Sequence, residues 1–345
     1  MPYYSSEEKD ALRQHFDTRL VLSLRRRKSR PLCYFGLPGA EARDLLAWQD
    51  AIGHIAAVEM NSEELEKLEL LLGTQLPHIR YSTHWGEVDK VILTDRGTAR
   101  IIGGQHYRPR VANIYADEIQ SWAWDFDVVN LDYFGPFLPY DPGTAARGSR
   151  RARTRTLALR RLFDPDRQDA RRRWLLLVTV EAQIRQPQAW NDHRTFLSLT
   201  RDDSSGQAAD ALDFLLTPGA DDFETAARLV AGTSAVLISI AATDAHLRVQ
   251  PRGVVVYRGA GGQPMVHLAY EFTPAQGALP IPVSRLTLLR CPLLNMRDPL
   301  RFPWFQLTPQ QVPGLSHDDA RAYLDFLGQR TLGQILADAS ASLPN

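Results

Sequence analysis

Pro31-Leu32-Cys33-Tyr34-Phe35-Gly36-Leu37-Pro38-Gly39 is a short apolar run closed by a glycine turn, and Ala42, Leu45, Leu46 and Ile52 follow it at helical spacing. Strand, glycine turn, helix is the opening of a βαβ unit. A second apolar run, residues 54–59 (HIAAVE), comes next. Asn61 with Glu64 then makes a capping-box-like start to a helix carrying Leu65, Leu68, Leu71 and Leu72. Two strand-helix units in series predict a parallel sheet, because parallel neighbours need crossovers of this kind.

Working outward, residues 88–102 read as a hairpin inserted on the sheet, with Val91-Ile92-Leu93-Thr94 and Ala99-Arg100-Ile101-Ile102 flanking Asp95-Arg96-Gly97. Residues 111–115 are expected as the third strand, ending near Asp117. Residues 127–132 (DVVNLD) are expected as the fourth, apolar until a polar carboxyl end. The unbroken apolar run WLLLVTV at 174–180 has the look of a strand buried on both faces. A helical stretch around 207–240 leads to two β-rich runs, 252–257 and 265–272, about a turn at Gly259-Ala260-Gly261-Gly262. Residues 5–27 contain no Gly or Pro and begin Ser5-Ser6-Glu7-Glu8, so a leading helix is expected before the basic run Arg25-Arg26-Arg27-Lys28.

The fold expected is therefore α/β, a doubly wound, mostly parallel seven-stranded sheet with a terminal antiparallel hairpin, plus a helical C-terminal extension. Its parts are an N-terminal helix (1–30), a main domain (31–275) containing the inserted hairpin (88–102) and an arginine-rich segment (144–173), and the extension (283–345).

With 345 residues, 44% of them hydrophobic, the chain can bury a sizeable core. It has no run of eighteen apolar residues and no leading apolar segment, so neither a membrane span nor a signal peptide is expected, and the location expected is cytoplasmic. Cys33 and Cys291 are the only cysteines, which argues against structural zinc and a disulfide framework, and no metal site is expected. HExxH, GxSxG and Walker-type spacings are missing, which disfavours metalloprotease, serine hydrolase and P-loop NTPase chemistry.

In a doubly wound sheet, ligands sit outside the carboxyl ends of the strands, where glycines admit a backbone's close approach and an acid ending the second strand can take ribose hydroxyls. Gly36, Gly39 and Glu59 fit those positions, and Glu59 follows Gly39 by twenty residues, close to the separation a nucleoside site needs. Asp117 stands where an acid could meet the adenine amino group, and Asn130-Leu131-Asp132-Tyr133 ends the fourth strand. The plainer alternative makes the glycines a turn, Glu59 a solvated strand end and Asp132 a loop cap.

Over roughly residues 30–275 these motifs resemble the class I S-adenosylmethionine-dependent methyltransferase superfamily. Phe35-Gly36-Leu37-Pro38-Gly39 is similar to its first motif, Glu59 to its ribose acid, Asp117 to its adenine-site acid, and residues 130–135 to its fourth, catalytic motif. Asn130-Leu131-Asp132-Tyr133 can be set against the Asn-Pro-Pro-Tyr type of amino-methylating enzymes. Leu131-Asp132-Tyr133-Phe134-Gly135 can be set against the Asp-Pro-Phe-Gly type of tRNA guanine-N2 enzymes, the closer of the two because WLLLVTV follows. The resemblance implies S-adenosylmethionine as cofactor, held by Phe35, Gly36, Leu37, Pro38, Gly39, Glu59 and Asp117. It also implies an acceptor site of Asn130, Asp132, Tyr133 and Phe134, where Asp132 orients an amine and an aromatic face holds a base. The chain departs from the family in having one glycine fewer in the first motif and Tyr133 where a proline is usual.

Residues 144–173 hold eleven arginines against three acids. Guanidinium forks match phosphate geometry, so Arg150, Arg151, Arg153, Arg155, Arg160 and Arg161 are expected to contact a nucleic acid. The leading expectation is a methyltransferase acting on a nucleic-acid amine. The alternatives are a non-catalytic methyltransferase-like subunit that docks with protein partners in a larger prokaryotic defence or modification complex and, last, an NAD-dependent oxidoreductase using the same glycines and Glu59.

Overall fold

The computed structural model describes residues 6–94, 100–102, 105–107, 126–133, 155, 158–159, 161–163, 173–184, 187–204, 206–219, 221–275 and 288–290. The chain opens with α1 (Glu7–Ala11), capped by the Ser6 hydroxyl, which accepts a hydrogen bond from the Lys9 amide. A π-helical stretch, Leu12–Asp17, joins α1 to α2 (Thr18–Arg26). The βαβ series is then β1 (Leu32–Gly36), α3 (Arg43–Ala47), β2 (Ile52–Glu59), α4 (Ser62–Gln75) and β3 (Arg80–Trp85). The Asn61 side chain caps α4, accepting from the amides of Glu63 and Glu64.

Next come α5 (Val88–Thr94), the small antiparallel pair β4 (Arg100–Ile102) and β5 (Gln105–Tyr107), β6 (Val128–Tyr133) and β7 (Trp174–Glu181). Three helices follow, α6 (Pro187–Asp202), α7 (Gln207–Leu216) and α8 (Asp222–Asp244). The long hairpin β8 (Leu247–Arg258) and β9 (Pro264–Pro274) and the short β10 (Leu288–Arg290) complete the described elements.

The main sheet runs β10-β8-β9-β7-β6-β1-β2-β3, with β9 antiparallel to both its neighbours and every other pairing parallel. Seven of its strands form the expected doubly wound sheet with its terminal hairpin; β10 adds an eighth on the hairpin side. Each face carries its own core. The α1–α4 side packs Leu12, Phe16, Trp48 and Leu68 on Tyr34, Ile55 and Leu177, and the α5–α8 side packs Ile92, Leu197 and Val230 on Phe35, Val129 and Val178. The leading helix is thus part of the domain's packing. The three-helix layer approaches closely at Gly232, where a Cβ would come within 2.9 Å of the Leu215 side chain.

Two expectations are corrected. Val88–Thr94 is helix where a hairpin strand was expected, because Val88, Val91 and Ile92 recur at helical spacing and all are buried; the antiparallel pair of this region lies farther on, at β4 and β5. The third sheet position is filled by β3, Arg80–Trp85, not by 111–115. Residues 111–115, with Asp117, fall outside the described residues, as do 291–345 of the expected C-terminal extension. Finally, α8 is long and apolar enough to cross a membrane, but 89% of its most apolar window is buried, as the central helix of its layer must be.

Candidate functional site

In the sheet order, the chain crosses to one side of β1 through α3 and β2 and to the other through β6, so the carboxyl ends of β1 and β6 flank the switch in strand order where doubly wound sheets bind ligands. A cavity of about 270 Å³ opens there, just under the ~300 Å³ at which ordinary small-molecule sites begin. Leu37, Pro38 and Gly39 after β1, Glu59 and Met60 at the end of β2, and Gly86 and Glu87 after β3 form one side; Asp132 and Tyr133 of β6 form the other.

Gly39 and Gly86 have φ of +66° and +146°, and a Cβ on either would meet nothing within 4 Å. They supply a smooth glycine-lined wall on which a ligand can lie against backbone. Between them, one Glu59 oxygen accepts from the amides of Met60 at 2.8 Å and Asn61 at 2.9 Å. The other oxygen makes no hydrogen bond among the described residues. A carboxylate so oriented can accept from a pair of hydroxyls.

Sequence reasoning missed the roof of the site. Lys9 and Arg13, one helical turn apart, line the cavity from the leading helix. The Lys9 ammonium pairs with the Asp132 carboxylate, and the Arg13 guanidinium pairs with Asp44 of α3 and with Asp10. Burial opposes the Arg13 charge, but Asp44, Asp10 and Asp17 outweigh it and raise its pKa above the ordinary arginine value. Asp17, one more turn along, accepts at 2.9 Å from Nε2 of His267 of β9, whose other ring nitrogen lies 3.0 Å from the Thr179 hydroxyl of β7. Asp132, Thr179 and His267 are register partners across β6, β7 and β9, so this polar row runs directly beneath the helix. The π-helical turn is the irregularity that such a multi-point fit employs.

Several expected site residues do other work. Phe35 is buried, its ring 5.1 Å from that of Phe126, and does not line the cavity. Gly36 does not either; a Cβ there would overlap the Asn130 carbonyl oxygen, which also accepts from the Leu37 amide at 3.0 Å. Its absence of a side chain lets β1 lie close to β6. Asn130 donates to Asp44 at 2.6 Å and acts as a strut behind the cavity.

Tyr133 lines the cavity but is 5% exposed; its hydroxyl donates to Asp89 at 2.9 Å, and the Arg155 guanidinium stands 4.9 Å over its ring. Burial, and then Asp89, hold the phenol pKa well above its ordinary value. A ring pinned and covered in this way does not offer the open face expected for a base. Arg155, expected on a nucleic-acid surface, is buried against Tyr133 and Asp89 because the pair needs a counter-charge inside the fold. Arg161 is half-buried and away from the cavity. Phe134, Asp117, Arg150, Arg151, Arg153 and Arg160 lie outside the described residues. Among the described residues, no three His, Cys, Asp or Glu side chains converge to hold a metal ion.

No family model matches the chain, and no curated protein does. Solved structures with a similar path include Trm1 from Pyrococcus horikoshii with S-adenosyl-L-methionine, at TM-score 0.40 and 11% identity over 79% of this chain and 57% of that one. An O-methyltransferase from Bacillus cereus in complex with SAH aligns at TM-score 0.37 and 6% identity over 78% and 83%. The methyltransferase domain of bacterial CtHen1 aligns at TM-score 0.36 and 12% identity over 77% and 100%. The chain spans just over half the length of Trm1, and likenesses of this strength carry no functional argument. What the structure itself establishes is a Rossmann-like, doubly wound sheet with one reversed strand, its glycine-lined cavity lying at the switch in strand order.

Proposed function

We propose that this protein is an S-adenosylmethionine-dependent methyltransferase acting on an amine of a nucleic acid. The observation that carries the cofactor reading is the convergence on one cavity of the Gly39 turn, the half-engaged Glu59 carboxylate and the glycine turn at Gly86. The residues present fit the cofactor: Gly39 and Gly86 leave room for an adenosyl group, Glu59 is placed for its ribose hydroxyls, and the acid-rich lining suits a cationic sulfonium. When bound, the cofactor supplies an electrophilic methyl group.

Asp132 then presents a carboxylate at the acceptor side. Lys9 pairs with that carboxylate, and a carboxylate oxygen there can orient an acceptor N–H and draw off the positive charge that develops on the nitrogen. The nucleic-acid part of the reading is supported by the arginine-rich stretch that follows β6 in the sequence, eleven arginines within residues 144–173.

A second reading has a specific observation in its favour. Asn130, Asp132 and Tyr133 all have intramolecular partners, in Asp44, Lys9 and Asp89 respectively, as in a fold retained for docking after its chemistry is lost.

Calorimetric titration with S-adenosylmethionine, S-adenosylhomocysteine and NAD separates these readings. Saturable binding of the first two, abolished in Glu59→Ala without change in the thermal midpoint, supports the enzyme. Preference for NAD, or no binding of any of the three to the folded protein at millimolar ligand, overturns it, and the second result favours the docking subunit.

A further inference from the structure

At the opposite end of the sheet, the amino ends of the parallel strands gather cations from distant parts of the chain. Glu271 of β9 receives three guanidinium groups: Arg27 at 3.0 Å, Arg173 at 3.1 Å and Arg252 at 2.9 Å. Two strands along, at the start of β6, Asp127 receives Lys28 at 2.9 Å and Arg30 at 2.7 Å. Five cations thus share two carboxylates that are themselves almost wholly buried. Arg25 and the exposed Arg26 stand beside them in the last turn of α2.

Two further observations concern how crowded with cations this end is among the described residues. The Nε groups of Arg25 and Arg252 are buried and have no hydrogen-bond partner among the described residues. Arg252 also has its pKa lowered, first by burial; Glu271 pulls it back up, while the neighbouring Arg27 and Arg173 push it down. Meanwhile Arg27, Arg30 and Arg173 keep roughly two-fifths of their side-chain surface open to solvent.

We infer that this cation row, across the amino ends of β1, β6, β7 and β8 and the carboxyl end of β9, is an anchoring surface for the phosphate backbone of a nucleic acid, separate from the cavity at the opposite end of the sheet. At ~4.8 Å per strand the row is roughly 20 Å long, the span of a charged polymer and not of a single anion. Its cations are mostly arginines, whose forks pair with phosphate oxygens two at a time. The cavity is a poor first contact for such a polymer, since Asp44, Glu59, Glu87, Asp89 and Asp132 outnumber Lys9, Arg13 and Arg155 there. Along β6 the five residues from Asp127 to Asp132 set the two ends ~17 Å apart, so the polymer that uses both must be long enough to pass around the sheet.

This inference rests on the reading of a nucleic-acid acceptor but not on cofactor binding, so a measurement without cofactor tests it separately. The probe is a fluorescein-labelled single-stranded oligouridine of about 30 nucleotides, titrated with the full chain and followed by anisotropy. Saturable binding is expected, weakened on the order of twentyfold between roughly 50 and 200 mM salt if three phosphates are engaged. Arg26→Glu with Arg27→Glu should weaken it by at least about tenfold, and Arg173→Gln should weaken it less, with both variants retaining the wild-type circular dichroism spectrum. Arg194→Glu, on the exposed face of α6, should leave it unchanged. The inference is overturned by absence of binding at low salt, by equal affinity in the double variant, by loss only when the arginines of residues 147–161 are neutralised, or by tighter binding of polyglutamate than of the oligonucleotide.

Discussion

The two ends of the sheet handle charge in opposite ways. At the carboxyl ends every cation that lines the cavity has an acid, Lys9 with Asp132, Arg13 with Asp44 and Asp10, Arg155 with Asp89, and Glu59 and Glu87 add further negative charge. At the amino ends, five cations crowd two carboxylates and leave buried N–H groups without partners. A network in which every cation has an acid holds a cavity in shape. An unmatched one is held together less well than a bound anion would hold it, so the first end is built for a small ligand and the second for a polyanion.

The sharpest way to break this contrast is to remove one carboxylate from each end. Glu271→Gln leaves three guanidiniums, one of them buried, without an anion, and Asp44→Ala leaves Arg13 and Asn130 without their shared acceptor. Each should cost about 3 to 5 kcal/mol in urea unfolding, the range for breaking a buried ion pair. A polyanion such as heparin should restore much of the loss in Glu271→Gln and none in Asp44→Ala. Equal rescue of both would show that the two ends do not differ in the way described.

A second prediction concerns acid. His193 of α6 is buried, and burial lowers its pKa to about 4 from the ordinary 6.5. Its Nδ1 lies 3.0 Å from the Thr233 hydroxyl, which itself donates to the Leu229 or Val230 carbonyl, so Nδ1–H is the donor and Nε2 carries the lone pair in apolar surroundings. The unfolded chain takes up this proton below pH 6.5 while the folded chain resists until about pH 4, so stability is full above pH 6.5 and falls as the pH drops through that window. The loss amounts to about 3 kcal/mol by pH 4. His193→Gln should flatten that part of the profile of urea midpoint against pH. An unchanged slope would exclude His193 as the source of the acid response and point to His84, whose pKa burial also lowers to about 4.

The smallest effect is expected at Lys9. Its pair with Asp132 is partly open to solvent, at 19% and 27% side-chain exposure, so Lys9→Ala should cost under about 1 kcal/mol. The same substitution frees the Asp132 carboxylate. If the pair serves the acceptor site, cofactor affinity measured by calorimetry should change although stability hardly does.

Much of this architecture is written locally. The run from Pro31 to Gly39, the Asn61 cap and WLLLVTV carry their hydrophobic period and turn chemistry within a few residues, and strand and helix follow from them. β3 escaped because Arg80-Tyr81-Ser82-Thr83-His84-Trp85 looks polar; as the edge strand it needs no apolar run, although Ser82, Thr83 and His84 are buried. The helix α5 escaped because its Val and Ile residues favour strands when read singly, while their burial at helical spacing follows from the face they pack on.

The candidate site divides in the same way. The sequence determined that a glycine turn ends one strand and an acid the next, since both signals sit within one βαβ unit. Only the tertiary structure decided that Lys9 meets Asp132, 123 residues away, and that Asp17 meets His267, 250 residues away. Lys9, Arg13 and Asp17 share a helix face, a pattern any solvated helix can show; which acids or bases face it depends on how the strands are ordered. Likewise the basic run at 25–28 is visible in the sequence, but its convergence with Arg173 and Arg252 on Glu271 is not. Local pattern fixes the elements, and the long-range pairing of strands fixes which charges become neighbours.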